Sequence, residues 1–311
     1  MKRALVTGGA GFIGSHLAEG LLKQGFQVRV LDNFATGRRD NLGQVANDIE
    51  LMEGDVRNLT TVRTAVRNVD VVFHEAALPS VERSVKNPLE SNEVNIAGTL
   101  NVLVAARDAN VGRVVYAASS AAYGNAAALP KEESMTPDPL SPYAIGKLAG
   151  EQYMKVFTQL YGLSTVSLRY FNVFGPRQDP TTQYAGVIAK FTTCALEGKP
   201  YPVYGDGEQS RDFTYVENVV LSNLLAAEAP LDHSPLLNIA YGERTTLNQI
   251  LKMLNEVTNQ NLPAHYGPER AGDVRHSHAN LERAKKVLGY APKVDVREGL
   301  RRTLEWYREQ K

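Results

Sequence analysis

The chain has 311 residues, 43% of them apolar and 22% charged, which is enough apolar material to bury a large core. Its 34 basic and 34 acidic side chains cancel, so overall charge favours neither nucleic acid nor an anionic membrane surface as a partner. We find no apolar run of signal-peptide or membrane-span length and therefore expect a cytoplasmic protein. The single cysteine, Cys194, has no partners at metal-ligand spacing, so no metal site is expected.

Short apolar, β-branched runs alternate with longer amphipathic stretches through the first half of the chain. Strands are predicted at residues 3–7, 27–31, 69–74, 113–118 and 165–170. Helices are predicted at residues 11–24, 60–68, 94–109 and 143–161. This alternation predicts an α/β fold with a doubly wound parallel sheet of the Rossmann type.

The pattern changes after about residue 170, where turn clusters such as Gly175-Pro176 and Gly205-Asp206-Gly207 separate shorter elements. We expect a first domain over residues 1–170 and a smaller, mostly C-terminal substrate-binding lobe over residues 171–311. Strand and helix signal returns at residues 213–241, which predicts that this segment crosses back to the sheet.

A glycine-rich turn joins the first predicted strand to the first predicted helix, with the spacing Gly8-x-x-Gly11-x-x-Gly14. Glycines in this context permit a tight turn and let a pyrophosphate approach backbone N–H groups at the positive end of the helix. The spacing differs from the commoner G-x-G-x-x-G fingerprint, but the physical argument is the same. The turn therefore predicts a dinucleotide site.

Asp32 ends the second predicted strand, where it is placed to accept hydrogen bonds from the adenosine ribose hydroxyls. Its charge would repel a 2′-phosphate, which favours NAD over NADP as the cofactor. Arg38 and Arg39 lie close enough in the sequence to receive such a phosphate, so the alternative stays open at this point.

Tyr143 and Lys147 are four residues apart and share one face of a predicted helix. A free tyrosine is a poor base at neutral pH, but a nearby ammonium favours the phenolate. A serine pair, Ser119-Ser120, follows a predicted strand at the sheet edge where ligands of such folds bind. Together these residues predict a proton-transfer site beside the nicotinamide.

The ordered motifs resemble the extended short-chain dehydrogenase/reductase family over essentially the whole chain and, more narrowly, the UDP-hexose 4-epimerases. The segments that carry this resemblance are the glycine turn, Asp32-Asn33, Asp55-Val56, His74-Glu75-Ala76-Ala77, Ser119-Ser120, Tyr143-x-x-x-Lys147, Arg169-Tyr170-Phe171-Asn172-Val173-Phe174-Gly175-Pro176, Ser210-Arg211-Asp212-Phe213 and Arg270-Ala271-Gly272-Asp273.

The resemblance implies an isomerase in which NAD takes hydride from C4 of a UDP-sugar and returns it to the other face of a 4-keto intermediate. It implies Tyr143 as the base, Lys147 as the group that lowers the tyrosine pKa, and Ser119 as a hydrogen-bond partner of the reacting oxygen. The cofactor contacts it implies are Gly8, Gly11, Phe12, Ile13, Gly14, Asp32, Asn33, Gly37, Asp55, Val56, Ala76, Ala77, Asn95, Tyr143 and Lys147. The substrate contacts it implies are Ser80, Ser119, Ser120, Asn172, Tyr204, Arg211, Arg270, Asp273 and Ser277.

Related reactions are distinguished at the residues after Ser119. Dehydratases of this fold carry an Asp-Glu pair where this chain has Ser120 and Ala121, and decarboxylases keep a glutamate at the second position. Epimerases of UDP-glucuronate keep a hydroxyl there, so this substrate ranks below the neutral sugars but stays an alternative. A small residue at Ser277, where sugar-restricted relatives have tyrosine, predicts room for the N-acetyl group of UDP-GlcNAc and UDP-GalNAc.

Two further expectations concern assembly and class. The resemblance implies a homodimer through the apolar faces of residues 94–109 and 143–161, although these faces would also serve simply to cover the sheet. The alternative class is an inactive nucleotide-sugar-binding protein, which should have lost the Tyr143 and Lys147 pair that this chain keeps.

Overall fold

The structure is a computed structural model that describes residues 1–180, 186–231, 233–269 and 274–310. Its strands in chain order are β1 (Arg3–Thr7), β2 (Gln27–Asp32), β3 (Ile49–Glu53), β4 (Val71–His74), β5 (Arg113–Ser119), β6 (Ser164–Tyr170), β7 (Val173–Phe174), β8 (Tyr201–Tyr204), β9 (Ser210–Arg211), β10 (Thr214–Tyr215), β11 (Leu236–Ile239), β12 (Thr245–Thr246) and β13 (Ala264–Gly267).

The α-helices of the described residues are α1 (Phe12–Lys23), α2 (Leu59–Ala65), α3 (Val81–Lys86), α4 (Pro88–Asn92), α5 (Gly98–Asp108), α6 (Pro142–Tyr161), α7 (Val187–Glu197), α8 (Val216–Glu228), α9 (Leu247–Thr258), α10 (Glu282–Leu288) and α11 (Val296–Glu309). A π-helical turn, Glu93–Ala97, precedes α5.

In the described part of the chain, seven strands form one parallel sheet in the order β11-β6-β5-β4-β1-β2-β3. The central strands are apolar on both faces because helices cover both. Leu5 and Val114 face the side covered by α2, α5 and α6, whereas Val6 and Val115 face the side covered by α1 and α8. The predicted Rossmann-type fold is confirmed.

The predicted strands and helices of the first 170 residues are confirmed, and the structure adds β3 at one edge of the sheet. The residues of β3, Ile49–Glu53, are exposed or half-buried throughout, so their sequence carries little of the apolar signal of the central strands. At the other edge, β11 pairs with β6, which places residues 236–239 of the later half of the chain in the same sheet.

A separate apolar core lies beneath the later elements. It joins α7, α9 and α11 through residues such as Phe191, Leu254 and Leu304. The two-stranded pairs β8 with β13 and β9 with β12 complete this region. Of these strands, β8 contributes Tyr201 and Val203 to this core.

A buried ion pair ties α6 to β6. Arg169 donates from Nε to Glu151 Oε1 at 2.8 Å and from Nη2 to Glu151 Oε2 at 2.7 Å. The two side chains are 1% and 4% exposed. The guanidinium also lies 4.4 Å from the centre of the Tyr123 ring. Bidentate geometry of this kind fixes the helix against the strand as well as offsetting the cost of burying two charges.

Candidate active site

A cleft of about 1900 Å³ lies at the carboxyl ends of the central strands. One wall comes from the glycine turn and the segments after β2 and β4. The other comes from the start of α6 and from lobe residues that include Arg211 and Ser277. Open α/β sheets bind their ligands at this edge, so the cleft is the candidate active site.

The glycine turn is packed too tightly to accept side chains. Gly8 has φ +69°, and a Cβ built there would lie 2.7 Å from the Cα atom of Ala76. A Cβ on Gly14 would lie 2.8 Å from Gly9 Cα and would collide with the Gly8 carbonyl oxygen. The N-cap of α1 is Gly11, which offers no side-chain acceptor to the first-turn N–H groups. This cradle fits a pyrophosphate.

Asp32 is buried at the end of β2 and lines the cleft. Its Oδ2 accepts a hydrogen bond from the Ala10 N–H at 2.9 Å and its Oδ1 accepts one from the Phe34 N–H at 2.8 Å. Burial raises the pKa of this carboxyl, and the backbone donors oppose the shift. Each oxygen retains a second acceptor position, which suits ribose hydroxyls.

Arg38 and Arg39 are the two arginines that the sequence leaves open as partners of an NADP 2′-phosphate. Both are paired with carboxylates. Arg38 Nη2 lies 2.8 Å from Asp179 Oδ2. Arg39 pairs with Glu53, and its guanidinium lies 4.1 Å from the centre of the Phe34 ring. These contacts direct both positive charges toward acidic side chains and so favour NAD over NADP.

Asp55 forms the far end of the cofactor side of the cleft. It accepts hydrogen bonds from Asn33 Nδ2 at 2.7 Å and from Arg57 Nη2 at 2.7 Å. The hydrogen bonds from Arg57 lower the pKa of this carboxyl to about 2, so it is charged at neutral pH. Asn33, Asp55 and Val56 all line the cleft, as does Gly37.

Three side chains converge where the sheet meets α6. Ser119 ends β5, Tyr143 lies in the first turn of α6, and Lys147 lies one turn further along that helix. Ser119 and Tyr143 both line the cleft at this point. Burial raises the pKa of Tyr143, whereas the Ser119 hydroxyl acts to lower it. The arrangement places two hydroxyl side chains and a buried ammonium along the same edge of the cleft.

Lys147 is 4% exposed, and its Nζ donates to the Ala117 carbonyl at 2.7 Å. Burial lowers the pKa of its ammonium to about 8, and the negative charges of Glu75 and Glu151 oppose that shift. These carboxylates favour the charged form of Lys147, which lies one helical turn from Tyr143 on α6.

The start of α6 is fixed by two serines. Ser141 is the N-cap, and its side chain accepts from the Ala144 N–H. Ser84 Oγ accepts from the Tyr143 N–H at 3.1 Å and is itself buried in α3. Ser80 lines the cleft and caps α3.

The lobe side of the cleft contains Asn172, Arg211 and Ser277. Asn172 Nδ2 donates to Ser277 Oγ at 3.1 Å, and the Ser277 N–H donates to the Ser210 carbonyl. Arg211 Nη1 donates to the carbonyls of Ser210 and Arg275, both at 3.0 Å. Three predicted substrate residues, which are far apart in the sequence, are thus brought to one wall.

Two of the predicted site residues lie away from the cleft lining, and two fall outside the part of the chain that is described. Asn95 lies behind the wall, where its amide accepts from the Leu78 N–H at 2.9 Å and donates to the Leu78 carbonyl at 3.3 Å. Tyr204 is 44% exposed on β8, outside the cleft lining. Arg270 and Asp273 lie outside the described residues.

Several residues of the cleft wall were not predicted as contacts, Glu75 and Tyr170 among them. Glu75 and Tyr170 both line it, and the Tyr170 hydroxyl donates to Glu75 Oε1 at 2.8 Å. Both stand in motifs quoted above, and an acidic residue directly after an apolar strand was the signal available for Glu75.

The described residues contain no group of three His, Cys, Asp or Glu side chains arranged to hold a metal ion. His276 Nδ1 instead contacts Ser210 Oγ at 2.9 Å, and His278 Nε2 contacts the Gly242 carbonyl at 3.0 Å. Within the described ranges, no helix is long and apolar enough to cross a membrane.

Fold and site together define an extended short-chain dehydrogenase/reductase. The chain belongs to the NAD dependent epimerase/dehydratase family, whose model matches residues 4–240. It is 37% identical over 310 residues to the UDP-glucose 4-epimerase of Mycolicibacterium smegmatis, covering 98% of each chain. The family predicted from the motifs is confirmed.

Two solved structures are similar over nearly the full length. The UDP-N-acetylglucosamine 4-epimerase of Methanobrevibacter ruminantium M1, in complex with UDP-N-acetylmuramic acid, is 38% identical with a TM-score of 0.95, covering 100% of this chain and 99% of that one. The UDP-glucose 4-epimerase of Thermus thermophilus, in complex with NAD, is 39% identical with a TM-score of 0.89, covering 98% and 99%.

Proposed function

We propose that this protein is an NAD-dependent 4-epimerase of UDP-hexoses, acting on UDP-glucose and UDP-galactose and also on UDP-GlcNAc and UDP-GalNAc. The observation that carries the proposal is the convergence of Ser119, Tyr143 and Lys147 in a cleft that also contains the glycine cradle. The relatives and the solved structures named above support it.

In the proposed reaction, Tyr143, Ser119 and Lys147 each have a separate role. Bound NAD supplies the hydride acceptor and donor for C4 of the sugar. Tyr143 takes the proton of the 4-hydroxyl group and gives it back, while Ser119 hydrogen-bonds the same oxygen. Lys147 holds the nicotinamide ribose and supplies a positive charge on the helix face that it shares with Tyr143, where it favours the phenolate.

The cofactor and the nucleotide occupy opposite walls of the cleft in this proposal. Asp32 holds the adenosine ribose and Asp55 the adenine, while Arg211 holds the diphosphate of the substrate. Asn172 contributes to the UDP site. Arg270 on the diphosphate, Asp273 on the uridine ribose and Tyr204 on the uracil remain part of the proposal from family resemblance. We also retain the division into a cofactor domain at 1–170, with a return near 213–241, and a lobe at 171–311.

The sugar pocket is proposed to be open at Ser277. This short side chain lines the cleft and is held by Asn172, so no bulky group fills that position. Ala121 also lines the cleft and has no hydroxyl to offer a carboxylate. The first feature supports acetylated sugars as substrates, and the second ranks UDP-glucuronate below them.

Ser277→Tyr is expected to reduce kcat/KM for UDP-GlcNAc by at least about tenfold while changing kcat/KM for UDP-glucose much less, because the ring would fill the space proposed for the N-acetyl group. The measurement is the ratio of the two kcat/KM values. Ser277→Ala is the matched control and should keep the wild-type ratio. Equal losses on both sugars would contradict the proposed pocket.

We further propose a homodimer formed through α5 and α6. Val156, Leu160 and Tyr161 are exposed on α6 at 39%, 69% and 50%, which is unusual for large apolar side chains. Arg107 of α5 lies over the Tyr161 ring at 4.8 Å, so the two helices present one continuous surface. Light scattering on the purified protein tests the dimer.

We also propose that the protein is located in the cytoplasm.

The function is tested by incubating purified protein with UDP-glucose, UDP-GlcNAc and UDP-glucuronate separately, with NAD supplied, and following the C4 epimers by NMR. Interconversion of both neutral pairs is the expected result. Reaction of UDP-glucuronate alone would contradict the use made of Ala121. Binding of all three without turnover would support the inactive binding protein instead.

A further inference from the structure

Residues 176–179 form a short segment, called the strap below, that has no role in the function proposed above. The strap follows β7 in the chain. Arg177, Gln178 and Asp179 of the strap line the same cleft as the glycine turn. The strap therefore comes from the later half of the chain and reaches the cleft that the proposed cofactor site occupies.

The first half of the strap is attached to α1, the helix that begins at the glycine turn. His16 Nε2 contacts the Pro176 carbonyl oxygen at 3.0 Å. Arg177 Nη1 donates to Ser15 Oγ at 3.3 Å, and Arg177 Nη2 pairs with Glu19. The Arg177 and Glu19 side chains are only 8% and 14% exposed. Arg177 also has φ +66°, a left-handed conformation that a residue with a side chain keeps only where its surroundings fix it.

The middle of the strap is attached to the lobe. The Tyr307 hydroxyl of α11 donates to the Gln178 carbonyl, and Gln178 Nε2 donates to the Val173 carbonyl at 3.2 Å. Tyr307 also lines the cleft. The strap is thus held by α1 on one side and by α11 on the other before it reaches Asp179.

An ion pair joins the end of the strap to the segment after β2. Arg38 Nη2 donates to Asp179 Oδ2 at 2.8 Å, and both residues line the cleft. The Arg38 N–H donates to the Ala10 carbonyl at 3.0 Å, which attaches Arg38 to the glycine turn. The N–H of the same Ala10 donates to Asp32 at 2.9 Å. The ion pair therefore lies beside the position proposed for the pyrophosphate and the adenosine ribose.

The Arg38 and Asp179 pair differs from the Arg177 and Glu19 pair in its exposure. The Arg38 and Asp179 side chains are 59% and 30% exposed. An exposed ion pair contributes little to stability and is weakened by salt, so it breaks and re-forms without loss of the fold. The buried contacts of Arg177 keep the strap in place while the exposed pair opens.

We propose that the Arg38–Asp179 ion pair is a clasp across the cofactor side of the cleft that slows both entry and release of NAD. It joins two segments that border the proposed NAD site, one attached to the glycine turn and the other to α1 and α11. A clasp must open for passage in either direction, so it limits the two rates more than the equilibrium affinity. The inference requires NAD to bind in this cleft and does not depend on which sugar reacts.

Stopped-flow fluorescence tests the inference with NADH as the probe. The single tryptophan, Trp306, lines the cleft, so quenching of its fluorescence reports NADH binding, and mixing the NADH-loaded protein with excess NAD reports release. Asp179→Asn keeps the shape of the side chain and removes its charge. Both kon and koff are expected to rise about two- to fivefold, which is the effect of one exposed ion pair, with Kd changed less than about twofold.

A double-mutant cycle shows whether the two residues act as a pair. Arg38→Gln should raise both rates as Asp179→Asn does, and the double variant should release NADH no faster than either single variant. Additive effects would overturn the inference. A weaker Kd in Arg38→Gln with a wild-type Asp179→Asn would make Arg38 a direct ligand of the cofactor and would overturn it too.

Glu53→Gln is the matched control. Glu53 pairs with Arg39, the neighbour of Arg38 in the chain, and neither of these two residues lines the cleft. This variant breaks a neighbouring exposed ion pair and should keep the wild-type rates of NADH entry and release. Equal acceleration by Glu53→Gln and Asp179→Asn would reduce the effect to general electrostatics and refute the clasp. No UDP-sugar is used, so failure of the clasp is distinct from failure of the proposed epimerase function.

Discussion

Tyr143→Phe is expected to lower kcat by about 10²- to 10⁴-fold with little change in UDP-sugar or NAD binding, because the phenyl ring keeps the packing and loses the proton acceptor. The ring that loses its hydroxyl lines the cleft together with Ser119 and Lys147. Epimerisation is followed by NMR, and binding by calorimetry. The loss should appear in kcat and not in the dissociation constants.

Tyr153→Phe is the matched control for this variant. Tyr153 lies on the same helix, α6, and packs against the core beside α5 rather than in the cleft. The same atom is removed from the same residue type, so any general effect on α6 should be shared. Wild-type turnover by Tyr143→Phe would remove tyrosine from the role of base.

Gly14→Ala is expected to abolish NAD retention, with at least about a hundredfold weaker binding, or to unfold the amino-terminal half of the sheet at lower temperature. The new Cβ would meet the Gly8 carbonyl oxygen and the Gly9 Cα atom, which are backbone atoms that cannot rotate away. Strain of this kind costs about 1–3 kcal/mol when the surroundings relax. NAD content after desalting and the thermal midpoint measure the two effects.

Gly267→Ala provides the corresponding control. A Cβ at Gly267 would lie 3.7 Å from the Val203 carbonyl oxygen, an ordinary contact, and this glycine does not line the cleft. It should therefore keep both NAD content and thermal midpoint. Full NAD retention by Gly14→Ala would contradict the cradle described for the glycine turn.

The sequence predicts a strand of the fold wherever both faces of that strand are buried. β5 contains Val114 and Val115 on opposite faces, both fully buried, so a continuous apolar run marks it. β3 lies at the sheet edge with no fully buried residue, and its pattern does not differ from that of a loop. An apolar sequence pattern predicts a strand only where the side chains of that strand are buried. The side chains of the edge strand β3 are exposed or half-buried, so its sequence does not show this pattern.

The site was predictable in its residue types and less so in its contacts. Tyr143 and Lys147 share a helix face, and the spacing alone brings them together. Asn95 stays a predicted cofactor contact; in the structure it lies in the π-helical turn Glu93–Ala97 and hydrogen-bonds the Leu78 backbone. A local change of helix type turns a side chain by an amount that residue spacing does not encode.

The buried pair of Glu151 and Arg169 constrains how this protein can change over time. Losing either partner alone would leave a charge stranded in the interior, at a cost of about 3–5 kcal/mol. Replacing both by apolar side chains of similar volume would be nearly neutral. A substitution at only one of the two positions is therefore expected to destabilise the fold more than replacement of both. The helix that carries Tyr143 and Lys147 is thus held against β6 by a residue pair outside the cleft lining.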